Sequence, residues 1–286
     1  MIRNLQCMFA VAKSEYIRWI TNPRMILMGI LIVFMRTLAV EPLLERAVKM
    51  GLPLNRMEPF IAVGNSGMLV MLMPCVFLVF ISDYPKMTGN TLLLVQRSGR
   101  WNWLAGQLLF LLWTVLTFLG LVFLGCLCVS EGDFLENWSN VVTKYNAVYP
   151  NEIGSFASQL LPSNLYNQIS LGKALLFTLL LMGAYLFLLG LVLFFCKQLY
   201  PGTFGLFTVL LVVASGVVTC SLRMKLMWAF PMANAIVWLH YDVILEKPNQ
   251  PMWVSFLYFA CCIAVLLACN LWATGRLMFV NSEQVE

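Results

Sequence analysis

Residues Gly64-Asn65-Ser66-Gly67 form a G-x-S-G pattern, in which small neighbours can expose a serine hydroxyl for attack on a carbonyl. Such a serine needs a histidine base within hydrogen-bond reach, and the sequence holds a single histidine, His240. The small residues also have a simpler use, because in an apolar helix they let neighbouring backbones approach closely. His240, beside Tyr241 and Asp242, reads either as a proton switch or as a side chain hydrogen-bonded in place. Nine cysteines supply thiols, but Cys126/Cys128 and Cys261/Cys262 lack C-x-x-C spacing and no histidine stands near to complete a ligand set. They read as small apolar residues, and no metal is expected. A phosphate loop is also missing, since Gly172-Lys173-Ala174 lacks the first glycine and the hydroxyl that would hold magnesium. The chain is therefore not expected to hydrolyse ATP alone, and no cofactor is expected in it.

Apolar elements must position these groups. Hydrophobic side chains make up 61% of the 286 residues and charged ones 11%, against about 25% charged in a soluble domain. The net charge of +5 is small and scattered, which argues against a nucleic-acid partner. Six apolar runs, Met25–Val40, Phe60–Ser82, Trp103–Val129, Lys173–Cys196, Thr203–Leu222 and Met252–Gly275, approach the roughly 20 residues that cross a bilayer. None contains Asp or Glu, which disfavours ion-coupled carriers and channels, whose pathways usually need a charged partner. The expected fold is an all-α membrane protein with six transmembrane helices over 25–286. An amphipathic interfacial helix over 1–24 precedes them, with Ile2, Leu5, Phe9, Ala12, Tyr16, Trp19 and Ile20 at helical spacing and Pro23 as its stop. No small-residue cleavage site follows the first run, so no cleaved leader is expected.

Lys and Arg between the runs set orientation. With the N-terminus in the cytoplasm, nine fall inside (Arg3, Lys13, Arg18, Arg24, Lys86, Arg97, Arg100, Lys197, Arg276) against eight outside over a longer stretch of chain. This shallow bias favours both termini in the cytoplasm. Arg36, near the far end of the first run, reads as snorkelling to headgroups or as lining a substrate cavity. The long outer loop 130–172 has room for a small ordered element. It includes Asn137-Trp138-Ser139, which fits the glycosylation triplet. The segment 223–250 is apolar but interrupted by Pro231, Asn234, His240 and Asp242, so it reads as short helices dipping back from the outer face. Trp228, Phe230, Trp238 and Tyr241 read as an interfacial belt or a substrate-contacting lip.

The inner loop 83–102 is the most informative. Thr88 or Asn90 can cap a short helix running through Gln96, and Ser98-Gly99 ends it. Its apolar face of Leu92, Leu93, Leu94 and Val95 is poorly placed in water and suits a groove on a partner protein, the alternative being lipid headgroups. Arg97 and Arg100 stand where helix C-terminal carbonyls and acidic partner groups favour cations.

Taken in order, these parts resemble a permease subunit of the type-2 class of ATP-binding-cassette (ABC) transporters, with a type V exporter-like arrangement. The resemblance covers nearly the whole chain: the helix Ile2–Ile20, six spans, the loop Asp83–Gln107 and the segment Phe230–Asp242. It implies that a coupling helix at about Thr88–Gln96 docks on separate ATPase subunits, which carry the ATP and Mg. It implies a second permease subunit, identical or not, in a bacterial plasma membrane, with no catalytic residue in this chain. Spans two and five would line the route, which makes Gly64, Asn65, Ser66, Gly67, Gly205, Ser215, Gly216 and Thr219 candidates there. Their sparse polarity implies a hydrophobic or amphipathic cargo, such as a peptide, drug or lipid, moved by alternating access. Two other classes stand beside this one: an intramembrane serine protease of the rhomboid type using Ser66 and His240, and a structural or immunity membrane protein without transport.

Overall fold

The computed structural model describes residues 2–67, 69–86, 95, 97–200, 202–242 and 248–276. In chain order its helices are α1 (Ile2–Ile20), α2 (Ile26–Met35), α3 (Glu41–Met50), α4 (Glu58–Asn65), α5 (Leu72–Phe80) and α6 (Arg100–Val129). There follow α7 (Asn140–Val148), α8 (Phe156–Leu160), α9 (Ser163–Tyr166), α10 (Leu171–Leu199), α11 (Phe204–Ser221), α12 (Pro231–Ala235) and α13 (Met252–Arg276). Among the described residues there is no strand, only two isolated bridging pairs. Among the described residues, five helical units are long and apolar enough to cross a membrane: Pro23–Met50, α6, α10, α11 and α13. They expose large apolar side chains such as Ile26, Val33, Leu116, Phe207, Trp253 and Val265, a surface that water would not tolerate and lipid would.

Helix α10 is central. Its buried Leu181, Tyr185, Leu189 and Phe194 touch the spans around it, and Gly190 lets Leu111 of α6 close against its backbone. Helix α1 has the amphipathic face its spacing predicts, but that face is divided. Val11, Ala12 and Trp19 are buried, and α1 packs largely against α6, where Gly106 admits Val11 and Tyr16 meets Thr117 at 2.8 Å. Leu5, Phe9, Ile17 and Ile20 remain exposed.

Two of the apolar runs differ from the sequence reading. The first does not end at Val40. After Asn22 caps the turn at Pro23–Met25, α2 continues through a π-helical turn at Arg36–Val40 into α3, giving a 28-residue unit that stops at Gly51 with φ +64°. Hydropathy falls after Val40 because α3 turns Arg46 and Lys49 toward the polar cap over 130–170 and away from lipid. The second run is not one helix. It breaks into α4 and α5 at Ser66, whose ψ of 133° ends the helical ladder. The segment 223–250 is described to Asp242 and again from Pro248. Its described part holds short helical turns at Lys225–Ala229, Pro231–Ala235 and Val237–His240.

Candidate functional site

The break in the second run is held by a polar junction. Asn65, fully buried at the end of α4, donates through Nδ2 to Thr178 Oγ1 on α10 at 2.7 Å and to Ile61 O at 2.9 Å. Its Oδ1 accepts the Val237 N–H at 2.8 Å, and its backbone carbonyl accepts the Trp238 indole N–H at 2.6 Å. One asparagine therefore joins α4, α10 and the 231–240 segment, and it supplies the backbone partners that a broken helix needs. Gly64 makes the contact possible, since a Cβ there would overlap the Thr178 methyl. On α11, Gly216 leaves room for Met232 of the same segment, and Thr219 is buried with its hydroxyl returned to Ser215 O and Gly216 O. Of the candidates on runs two and five, Asn65 and Gly216 thus meet the segment 231–238. Gly205 packs on Lys197 and Cys196, Ser215 is half-buried, and Gly67 is exposed.

The pairing of Ser66 with His240 does not form. His240 is fully buried, and its Nδ1 faces the carbonyls of Ile236 (3.0 Å) and Val237 (3.2 Å), so that nitrogen carries the proton. Its Nε2 lies 2.7 Å from Ser255 Oγ on α13. Ser255 is also 2.8 Å from Asn234 Oδ1, and Gln250 donates to Asn234 Oδ1 at 3.2 Å. With both ring nitrogens occupied, Ser66 has no base. Ser255 and His240 are each fully buried, so they tie the segment to the last span without offering a nucleophile to solvent.

The cap is closed by Glu58, which precedes the second apolar run and which the sequence reading missed. It is fully buried, and its carboxylate accepts the Ser139 N–H at 2.6 Å, the Ser139 hydroxyl at 2.9 Å and the Asn55 N–H at 3.3 Å. Burial pushes its pKa up to about 7 against those three donors. Asn55 Oδ1 in turn accepts the Met57 N–H at 3.1 Å, so Asn55 and Glu58 close the turn ahead of α4 in an exchange that resembles a capping box, a spacing that is visible in the sequence. Ser139, the third residue of the glycosylation triplet, is consumed by this clasp.

At the opposite end of the spans, Arg24 bonds Ser82 Oγ at 2.7 Å and pairs with Asp83 at 2.9 Å, while Lys197 donates to the Ser82 carbonyl. Thr88, Asn90, Leu92, Leu93 and Leu94 lie outside the described residues. Val95, read as part of a partner-facing surface, is buried in this chain's own core; Arg97 is exposed, and Arg100 reaches Gly275 O at 3.4 Å. Arg36 is mostly exposed and pairs with Glu41 at 3.4 Å on the same helical unit. No group of three or more His, Cys, Asp or Glu side chains able to hold a metal ion occurs among the described residues. Comparison with protein-family models, with curated proteins and with solved structures returns no match.

Proposed function

We propose that this chain is the membrane-spanning permease subunit of an ATP-driven ABC transporter, exporting a hydrophobic or amphipathic compound by alternating access. It works with separate ATPase subunits that bind ATP and Mg and with a second permease subunit. The observation that carries this reading is the divided second run. Its α4 half is bonded through Asn65 to the 231–240 segment, and its α5 half ends in the Arg24–Asp83 clasp just before the stretch Thr88–Gln96, where the family resemblance implies a coupling helix. A pull on that loop reaches α5 first, and the break lets α5 move while α4 stays with the cap. On this reading the clasp end faces the cytoplasm with both termini, the cap faces outward, and the segment 223–250 re-enters from the outer side in a six-crossing plasma-membrane protein.

The test is photo-cross-linking of the full chain in its native membrane. With Leu94→p-benzoylphenylalanine, the expected adduct is an ATPase carrying a phosphate loop, identified by mass spectrometry. No adduct, or adducts with lipid alone, overturns the proposal in favour of a membrane protein without a motor.

A further inference from the structure

Helix α3 carries Arg46 into the polar cap, where it is 6% exposed. Its guanidinium is held on two sides. Nη2 donates to Ser155 Oγ at 2.9 Å, and the central carbon lies over the Tyr145 ring, 4.3 Å from its centroid. Glu152, the carboxylate whose field reaches Arg46, is taken up by Lys49 at 3.0 Å and by the Tyr145 hydroxyl at 2.6 Å. The third side differs, because the Arg46 Nε–H is buried and donates to nothing among the described residues. On α7, Asn146 has the complementary defect. It bonds the Tyr166 hydroxyl, and because its Oδ1 is buried without a partner among the described residues, that bond runs from Nδ2. Arg46 and Asn146 line one cavity, whose other walls are the apolar side chains of Leu43, Val141, Val142, Ala157 and Leu161. About 10 Å³ of it is open to the centre of a water-sized sphere, which is room for one water and for no organic molecule.

We propose that this cavity binds a single ordered water, which accepts the Arg46 Nε–H and donates to Asn146 Oδ1. A buried donor and a buried acceptor, each without a partner, are costly, and one guest that both accepts and donates relieves the two together. The pair also selects against other guests of similar size. A halide would accept from Arg46 but set its charge against the Asn146 oxygen, and a small cation would suit Asn146 but meet the guanidinium charge. An apolar occupant would serve neither group. Because the remaining walls are apolar side chains, the water is oriented by Arg46 and Asn146. It adds a hydrated link from α3 to α7 beside the direct bonds that Arg46 and Lys49 make to Ser155 and Glu152. This site requires neither a motor nor a cargo, so the cross-linking result has no bearing on it.

The first test is an experimental structure of the native full chain at a resolution that shows ordered water. A single peak within hydrogen-bond distance of both Arg46 Nε and Asn146 Oδ1 is expected. A cavity without density overturns the proposal, and so does an anomalous peak there in a crystal soaked in bromide, which assigns the site to an anion. The second test compares Ala157→Val with Ala157→Thr by thermal unfolding in detergent. Both place a side chain of the same shape in the cavity and displace the guest, so any crowding is common to the two, but only threonine brings a hydroxyl able to take over the bonds of the water. The threonine variant is expected to melt above the valine variant by about 2 °C or more. A valine variant that melts at or above the threonine one marks a dry, apolar cavity and overturns the proposal.

Discussion

Asn65 does more than any other single side chain described here, because three elements depend on the two ends of one amide. Asn65→Ala leaves the Val237 N–H buried without a partner and removes the bond that Thr178 Oγ1 accepts, leaving that hydroxyl only its donation to Ala174 O, at a cost of about 2 kcal/mol. A lower melting temperature in detergent would register this, and an unchanged one would mean that the junction is dispensable. Glu58 makes a different prediction, in pH. Its folded pKa of about 7 lies above the ordinary 4.5, so the folded chain keeps a proton that the unfolded chain releases between those values. Its contribution is therefore complete below about pH 4.5, declines as pH rises to about 7, and is level above that, a loss on the order of 3 kcal/mol. Thermal unfolding followed from pH 4.5 to 8 should show this decline in the native chain and a flatter profile in Glu58→Gln. Parallel profiles would locate the titration elsewhere.

Among the elements, α4 and α10 meet through a matched pair, Gly64 and Thr178. Gly64→Ala forces its new methyl into that of Thr178 and should cost about 1–3 kcal/mol. Thr178→Ser removes the obstructing methyl but keeps the hydroxyl that serves Asn65, so the double variant should recover most of the loss. Additive losses in a two-by-two thermal comparison would show that the glycine is needed for another reason. The same region marks where the sequence stops being legible. Runs three to six could be read as helices within a few residues, because continuous apolarity is a local signal. The break at Ser66 could not, because it depends on Val237 and Trp238, more than 170 positions away. Small residues at 64–67 pointed to close approach and hid a change of backbone direction. For α3 the difficulty was different: once polar side chains face a protein cap, apolarity no longer reports where a membrane helix ends. The Asn55/Glu58 capping spacing was legible but unread, and the burial that gives it weight comes from Ser139 across the cap.

For the molecule as a whole, the proposed orientation is open to chemical labelling. Cysteine placed at the exposed Gly154 of the cap should react with an impermeant maleimide in intact cells, and cysteine at the exposed Lys13 should react only after the membrane is opened. Reversed labelling would invert the chain and detach residues 87–96 from any cytoplasmic motor. The long first unit has a mechanical consequence as well. Twenty-eight residues form a rod about 42 Å long, seated at one end by Arg24 and gripped at the other by Arg46 to Ser155 and Lys49 to Glu152. A rocking of about 5° at the seat would swing the far tip by about 4 Å and carry the hood over 130–170 with it as a single piece.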